Sequence, residues 1–335
     1  MPITINGSEK RIGLALSGGG FRAAAFHLGV FRKLEELGLL AKIDLLTCVS
    51  GGSIAGGFLA LNWGQTDVLD RLETYLKTRS IAVSSVVGGI LDPFNTRLDK
   101  LAASYDQHLF KGASLSDLKR GPRIYFNATN LSTGNMFFFV AGGNDKSEMG
   151  EWELGVVPAD QFPLSKAVAA SSAFPPVFPP LRLEQDVYPS DEVEYITLTD
   201  GGVYDNLGVN PLFRGRNKLH YVIVSDAGKP FANDIQPTES GTIVLKESIN
   251  ILMEQVRGLQ FKRLELGHIS ESGPTPVWFS IDSREGQAQL GDTEFASAID
   301  TNLKKLKKAE IDVLTRHSGA LLQARLRKYT PELLS

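Results

Sequence analysis

Cysteine is all but absent from this chain. Cys48 is the single one in 335 residues, which excludes a disulfide framework and any site built on several thiolates. Histidine is scarce as well. The five histidines show no H-E-x-x-H or similar spacing, so neither a metal nor a cofactor is implied. An excess of one charge is also missing: 35 Lys and Arg stand against 38 Asp and Glu, a formal net charge of -3. Without a polybasic run, nucleic acid is not the expected partner. No linker rich in Pro, Ser or Gly divides the chain. Length alone suggests about two domains, but residues 1–335 read as a single domain with a helical C-terminal portion from about 240. Residues 1–11 are polar and lack a signal-peptide core. One uncharged run, Leu45 to Thr66, has the ~20-residue length of a membrane span. Its five glycines and Asn62 lower its hydropathy, and a strand, a turn and a helix explain it better. The expectation is a cytoplasmic protein.

That uncharged run holds the stretch around which the chain is organised. Ile43 to Val49 is the right length for a buried strand. It stops at Ser50, two glycines follow, and Ser53 to Leu61 reads as a helix. Strand, serine, sharp turn and helix make a nucleophile elbow. The usual frame is G-x-S-x-G; here Cys48 replaces the first glycine and Gly52 supplies the second. Ser53 is a rival nucleophile, but its place at the start of the helix suits a cap or an early helical residue. The bland alternative is that Gly51-Gly52 is simply a tight turn.

Upstream, Arg11 to Ser17 is a first strand ending in Gly18-Gly19-Gly20. A helix from about Phe21 to Leu37 follows, with Phe26, Val30, Leu34 and Leu37 on one face and Arg32, Lys33, Glu35 and Glu36 on the other. Strand, helix and strand at this spacing make a βαβ unit with parallel neighbouring strands. Gly18 to Gly20 and Ser50 are then expected at one sheet edge. Three glycines at a helix N-terminus expose N–H groups and the positive end of the dipole, an anion site. Beside a serine nucleophile, that anion is the tetrahedral oxyanion of acyl transfer. A competing dinucleotide reading, from Gly18-x-Gly20-x-x-Ala23, lacks an acidic residue at the end of the second strand.

Further along, Asp67 to Lys77 is an amphipathic helix. Ile81 to Leu91 is apolar and reads as a buried connection or a lid that touches membrane. Leu98 to Leu109 is helical, and Arg123 to Thr129 with Met136 to Val140 form a hairpin. Leu164 to Ala173 is a small-residue helix. Tyr195 to Thr199 is a strand, and Asp200-Gly201-Gly202 follows it directly, placing a carboxylate on a tight turn. Taken alone, that is an ordinary Asp-Gly turn. Asp205 and Asn206 are expected to cap the turn. His220 to Asp226 and Val277 to Ile281 are strands. Between them a long helix carries Ile249, Leu252, Val256, Leu259 and Leu266 at helical intervals. Asp292 to Ala324 reads as two helices.

Ser17-Gly18-Gly19-Gly20-Phe21-Arg22-Ala23 followed by Val49-Ser50-Gly51-Gly52-Ser53 resembles the patatin-like phospholipase family. In its S-G-G-G-x-R-A form it is closer to the cytosolic phospholipase A2 branch. Asp200-Gly201-Gly202 is similar to the family's D-G-G/A motif. The resemblance implies an α/β three-layer sandwich with a largely parallel central sheet and an α/β-hydrolase-like elbow. It implies a serine acyl hydrolase of phospholipid or lysophospholipid esters, with Ser50 and Asp200 as a catalytic dyad and Gly18, Gly19 and Gly20 as the oxyanion hole. By the same match Arg22 would face the substrate phosphate; a salt bridge on the helix is the bland reading. The implied partners are a lipid ester substrate and, transiently, a membrane surface. A neutral lipase or general esterase, and an inactive lipid-binding module on the same fold, are the alternatives.

Overall fold

The structure is a computed structural model that describes residues 3–5, 7–81, 97–231 and 239–334. Of the apolar segment Ile81 to Leu91, all but its first residue lies outside the described residues. A small antiparallel ribbon, β1 (Ile3–Ile5) with β2 (Ser8–Lys10), precedes the main sheet. The parallel heart of that sheet is β3 (Ile12–Leu16), β4 (Ile43–Cys48) and β5 (Arg123–Asn130), joined on the other side of β3 by β11 (Tyr221–Asp226) and β12 (Thr275–Ser280). Beyond β5 the sheet turns antiparallel through β6 (Met136–Ala141), β7 (Glu148–Glu151) and β8 (Gly155–Pro158). The short β9 (Leu181–Leu183) pairs with β10 (Ile196–Asp200).

Side chains alternate between two apolar clusters along these strands, as a sheet covered on both faces requires. Leu14, Leu16, Leu46, Phe137, Phe139 and Ile223 face one. Ala15, Leu45, Tyr125, Phe138, Val222 and Val224 face the other. Helix α1 (Gly20–Glu36) makes the β3-to-β4 crossover that the sequence predicts. Its last turns are two-faced as expected, with Leu34 buried and Glu35 and Glu36 exposed, but the earlier turns are buried all round. Every residue from Gly20 to Phe31 is buried, because the sheet covers one side and α9 (Lys308–Tyr329) the other. Gly29 makes this fit possible, since a Cβ there would stand 2.2 Å from Ser318 Oγ. Also in place are α2 (Gly51–Leu61), α3 (Val68–Thr78), α4 (Arg97–Tyr105), α5 (Leu164–Ser171), α6 (Gly202–Asp205) and α8 (Asp292–Ala298).

The long helix α7 (Gly241–Ile269) turns part of its apolar repeat outward: Leu252, Leu259 and Leu266 point to solvent, while Leu264 reaches the core. Among the described residues, no helix is long and apolar enough to cross a membrane.

Candidate active site

Strand β4 runs parallel to β5 with Cys48 opposite Phe126, then turns away at the elbow. Strand β10 takes up the edge of β5 that β4 leaves. It runs antiparallel, with Leu198 opposite Asn130 and Asp200 opposite Ala128. The two strands therefore meet end to end, their tips two residues apart along β5. The sequence places Asp200 beside Ser50 but does not show this head-on route.

Ser50 has φ 52° and ψ -117°, a conformation that few residues other than glycine adopt. Hydrogen bonding holds it there: its N–H donates to both the carbonyl (3.1 Å) and the Oγ (3.2 Å) of Ser171. The elbow needs its glycines for close approach. A Cβ on Gly51 would meet Gly20 O at 2.1 Å, and one on Gly52 would meet Leu16 O at 2.2 Å. Cys48 fits the remaining small position, with its sulfur against Gly56. Burial pushes its thiol pKa up, so it remains an uncharged core residue.

Asp200 is fully enclosed. One carboxylate oxygen, Oδ1, accepts the Gly202 N–H at 2.7 Å. The other, Oδ2, is buried with no hydrogen-bond partner. The Ser50 hydroxyl is near enough to pull the carboxyl pKa down without closing a full hydrogen bond. Burial outweighs this and the Gly202 N–H, and the pKa is pushed up to about 7. A desolvated carboxylate with one unsatisfied oxygen beside a serine hydroxyl is chemically equipped to take a proton near neutrality.

The glycine loop stands across the elbow. Gly18 N–H is already committed, donating to Asn206 O at 3.1 Å. This corrects the expectation that all three glycines supply donors. The N–H groups of Gly19 and Gly20 have no acceptor among the described residues. The same holds for Gly51, directly after the serine, where such elbows commonly supply an oxyanion donor.

Arg22 does not reach the site. It is completely buried behind Gly19, donating from Nη1 to Ile299 O (2.9 Å) and from Nη2 to Ala227 O (3.0 Å). Burial lowers its pKa to about 10, opposed by the charges of Asp226 and Asp300. It ties the loop after β11 and the segment after α8 to α1, and neither a phosphate contact nor a surface ion pair describes it.

Ser53 is also buried, sharing a hydrogen bond of 2.8 Å with Ser171 Oγ. Asp205 caps its turn as expected, accepting from the N–H groups of Leu207, Val209 and Asn210. Two contributors escape sequence reading. Ser171 lies in the small-residue helix, and its carbonyl accepts from Ser50 and also from Gly201 at 3.3 Å. Tyr105 reaches Ser172 Oγ at 3.2 Å and feels the Asp200 charge. The composition of Leu164 to Ala173 marks a small-residue helix but not which of its serines matters.

The histidines stand elsewhere. His27 is buried in α1, where Nε2–H donates to Ser17 O and Nδ1 accepts from the Ser225 hydroxyl, both at 2.9 Å. Burial lowers its pKa to about 4. His220 Nδ1 accepts the Arg11 N–H at the far edge of the sheet, and His317 donates to Ile281 O. Among the described residues no group of three His, Cys, Asp or Glu could hold a metal.

The family model of the patatin-like phospholipases matches residues 14–213. Lysophospholipase NTE1 of Meyerozyma guilliermondii is 24% identical over 222 residues, which is 66% of this chain and 13% of that protein. The structure of human GIVD cytosolic phospholipase A2 superposes with a TM-score of 0.62 at 13% identity, covering 97% of this chain and 62% of that one. The same human protein in complex with methyl gamma-linolenyl fluorophosphonate gives 0.62 and 13%, covering 97% and 58%. At such identity the structural likeness concerns the fold.

Proposed function

Because the chain belongs to the patatin-like phospholipase family, we propose that it is a serine lipid acyl hydrolase working through Ser50 and Asp200. The observation that carries this reading is the orphaned Oδ2 of Asp200 beside a strained serine at a strand tip. In the proposed reaction, Asp200 takes the Ser50 proton as Oγ attacks the ester carbonyl. The developing oxyanion is met by the N–H groups of Gly19, Gly20 and Gly51. Asp200 then returns the proton to the leaving alcohol, and an acyl-serine remains. Water activated by Asp200 releases the fatty acid.

The proposed substrates are phospholipid or lysophospholipid acyl esters. One observation favours a second reading. The burial of Arg22 removes the cation that the family motif assigns to the phosphate, which suits a neutral lipase or general esterase. Fluorophosphonate labelling tests the nucleophile. A single adduct on Ser50, absent from Ser50→Ala, is expected; an inactive lipid-binding module would not react. Parallel assays on phosphatidylcholine, lysophosphatidylcholine and triacylglycerol decide between the two readings. The proposed setting is the cytoplasm, with transient contact at membranes.

A further inference from the structure

Helix α7 is fixed to the body near its middle. Arg257 pairs with Asp226, donating at 2.6 Å, and with Ser280 Oγ at 3.2 Å. These residues end β11 and β12, so Arg257 marks the level of the sheet edge on which the elbow opens. One turn earlier, the Met253 side chain packs at Gly202, 3.3 Å from the position of a Cβ there, directly behind Asp200. Residues 241–252 continue beyond it for about 18 Å at 1.5 Å per residue.

That projecting part is apolar on its solvent side. Ile243, Val244, Leu245, Ile251 and Leu252 are all exposed, Leu252 by 65%. From Ser248 to Leu259 the exposed residues are Ser248, Ile251, Leu252, Gln255, Gly258 and Leu259, and none carries a charge. An exposed apolar face of this extent marks an interaction site.

We propose that the N-terminal half of α7 seats the protein on a lipid surface, with the mouth of the Ser50–Asp200 site turned toward the same surface. This deepens the lipid hydrolase reading and rests on it for the orientation of the site. Leu245, Leu252, Leu259 and Leu266 recur every seventh residue, a spacing that would also suit a second copy of this helix. Two features favour lipid. At the positions flanking the leucines, where a paired coil sets register with opposite charges, stand Lys246, Ser248, Met253, Gln255, Gln260 and Lys262, with no acidic residue among them. The face is also wide, since Ile251 lies about 120° around the helix from Leu245, more than a two-stranded seam uses.

The test uses the full chain carrying Ser50→Ala, so that binding is read without turnover and stands whether or not the hydrolase reading holds. Sedimentation with phosphatidylcholine vesicles should fall at least about tenfold on Ile251→Glu with Leu252→Glu, given the apolar area removed. Leu245→Glu should act in the same direction. Leu266→Glu, equally exposed but on the part of α7 that runs back along the sheet on the other side of Arg257, should leave binding unchanged. Each variant is first shown to melt as the parent does. The proposal is overturned if the parent does not bind vesicles, if the double variant binds undiminished, or if Leu266→Glu loses as much. It is also overturned if the parent is a dimer that Leu252→Glu dissociates without changing vesicle binding.

Discussion

Ser53 and Ser171 join their hydroxyls at 2.8 Å beneath the elbow, and Ser171 Oγ in turn donates to Asn127 O at 2.6 Å. The nearest rival to Ser50 is thus a buttress inside the fold. Ser53→Ala should cost no more than about tenfold in kcat. Ser50→Ala should cost on the order of 10⁶, as loss of a serine nucleophile can. Ser171→Ala, which also loosens the Ser50 N–H, should fall between. Mass mapping of a fluorophosphonate adduct to Ser53 would reverse this order.

Asp200 links activity to pH. Its folded pKa of about 7 lies above the ordinary value of ~3.9. Between those values the folded protein keeps a proton that the unfolded chain has released, so stability falls as pH rises through that window. Asp200→Asn cannot ionise. Near pH 8 it should be inactive yet more stable than the parent by on the order of 2–4 kcal/mol, the gap closing toward pH 4. The parent's kcat/KM should rise through about pH 7. Paired denaturant titrations and a pH–rate profile read both.

The glycine donors can be separated by amide-to-ester replacement through α-hydroxy acid incorporation. An ester at Gly19 deletes an N–H aimed at the proposed oxyanion and should lower kcat about 10²–10³-fold. One at Gly18 deletes the bond to Asn206 O and should lower stability instead, by about 1 kcal/mol. Proline at Gly19 is a poorer probe, because its ring holds φ near about -65° where the loop needs 141°.

Arg22→Met should destabilise the fold, since the carbonyls of Ile299 and Ala227 lose a charged donor at about 1–3 kcal/mol each. The ratio of kcat/KM for phosphatidylcholine to that for a neutral ester should not move. A selective loss on phosphatidylcholine would return Arg22 to the substrate.

No histidine variant should abolish turnover. His27→Ala opens a hole in the core and lowers the melting temperature, but the folded fraction should keep most of its kcat. So should His108→Ala, His220→Ala, His268→Ala and His317→Ala. A folded histidine variant down by several orders of magnitude would replace the dyad with a triad.

The elbow and the Asp-Gly-Gly turn are legible in the sequence because each is written in adjacent residues: a buried strand, then a turn that only small residues allow. The βαβ unit is legible for the same reason. Arg22 is not, because its partners lie 277 and 205 residues away and its own neighbours suggest an ordinary helix. The direction of β10 is set by pairing with β5 and leaves no local mark. For α7, periodicity reveals that the helix has an apolar side. It does not say whether that side faces the protein or the solvent, since both need the same spacing.

Because β4 and β10 both measure their ends against β5, the gap between serine and aspartate is counted in residues along one shared ruler. A slip of either strand by one residue would turn its tip to the opposite face of the sheet, so the pairing tolerates no gradual drift. Apart from α5 and the residues just after it, which hold Ser50, Asp200 and Gly201 in place, the chain between Asn130 and Ile196 is released from that accounting. Its hairpins and loops can lengthen, shorten or be exchanged while the two tips keep their spacing. Grafted insertions there should therefore be a practical way to alter what enters the site without touching the pair that works in it.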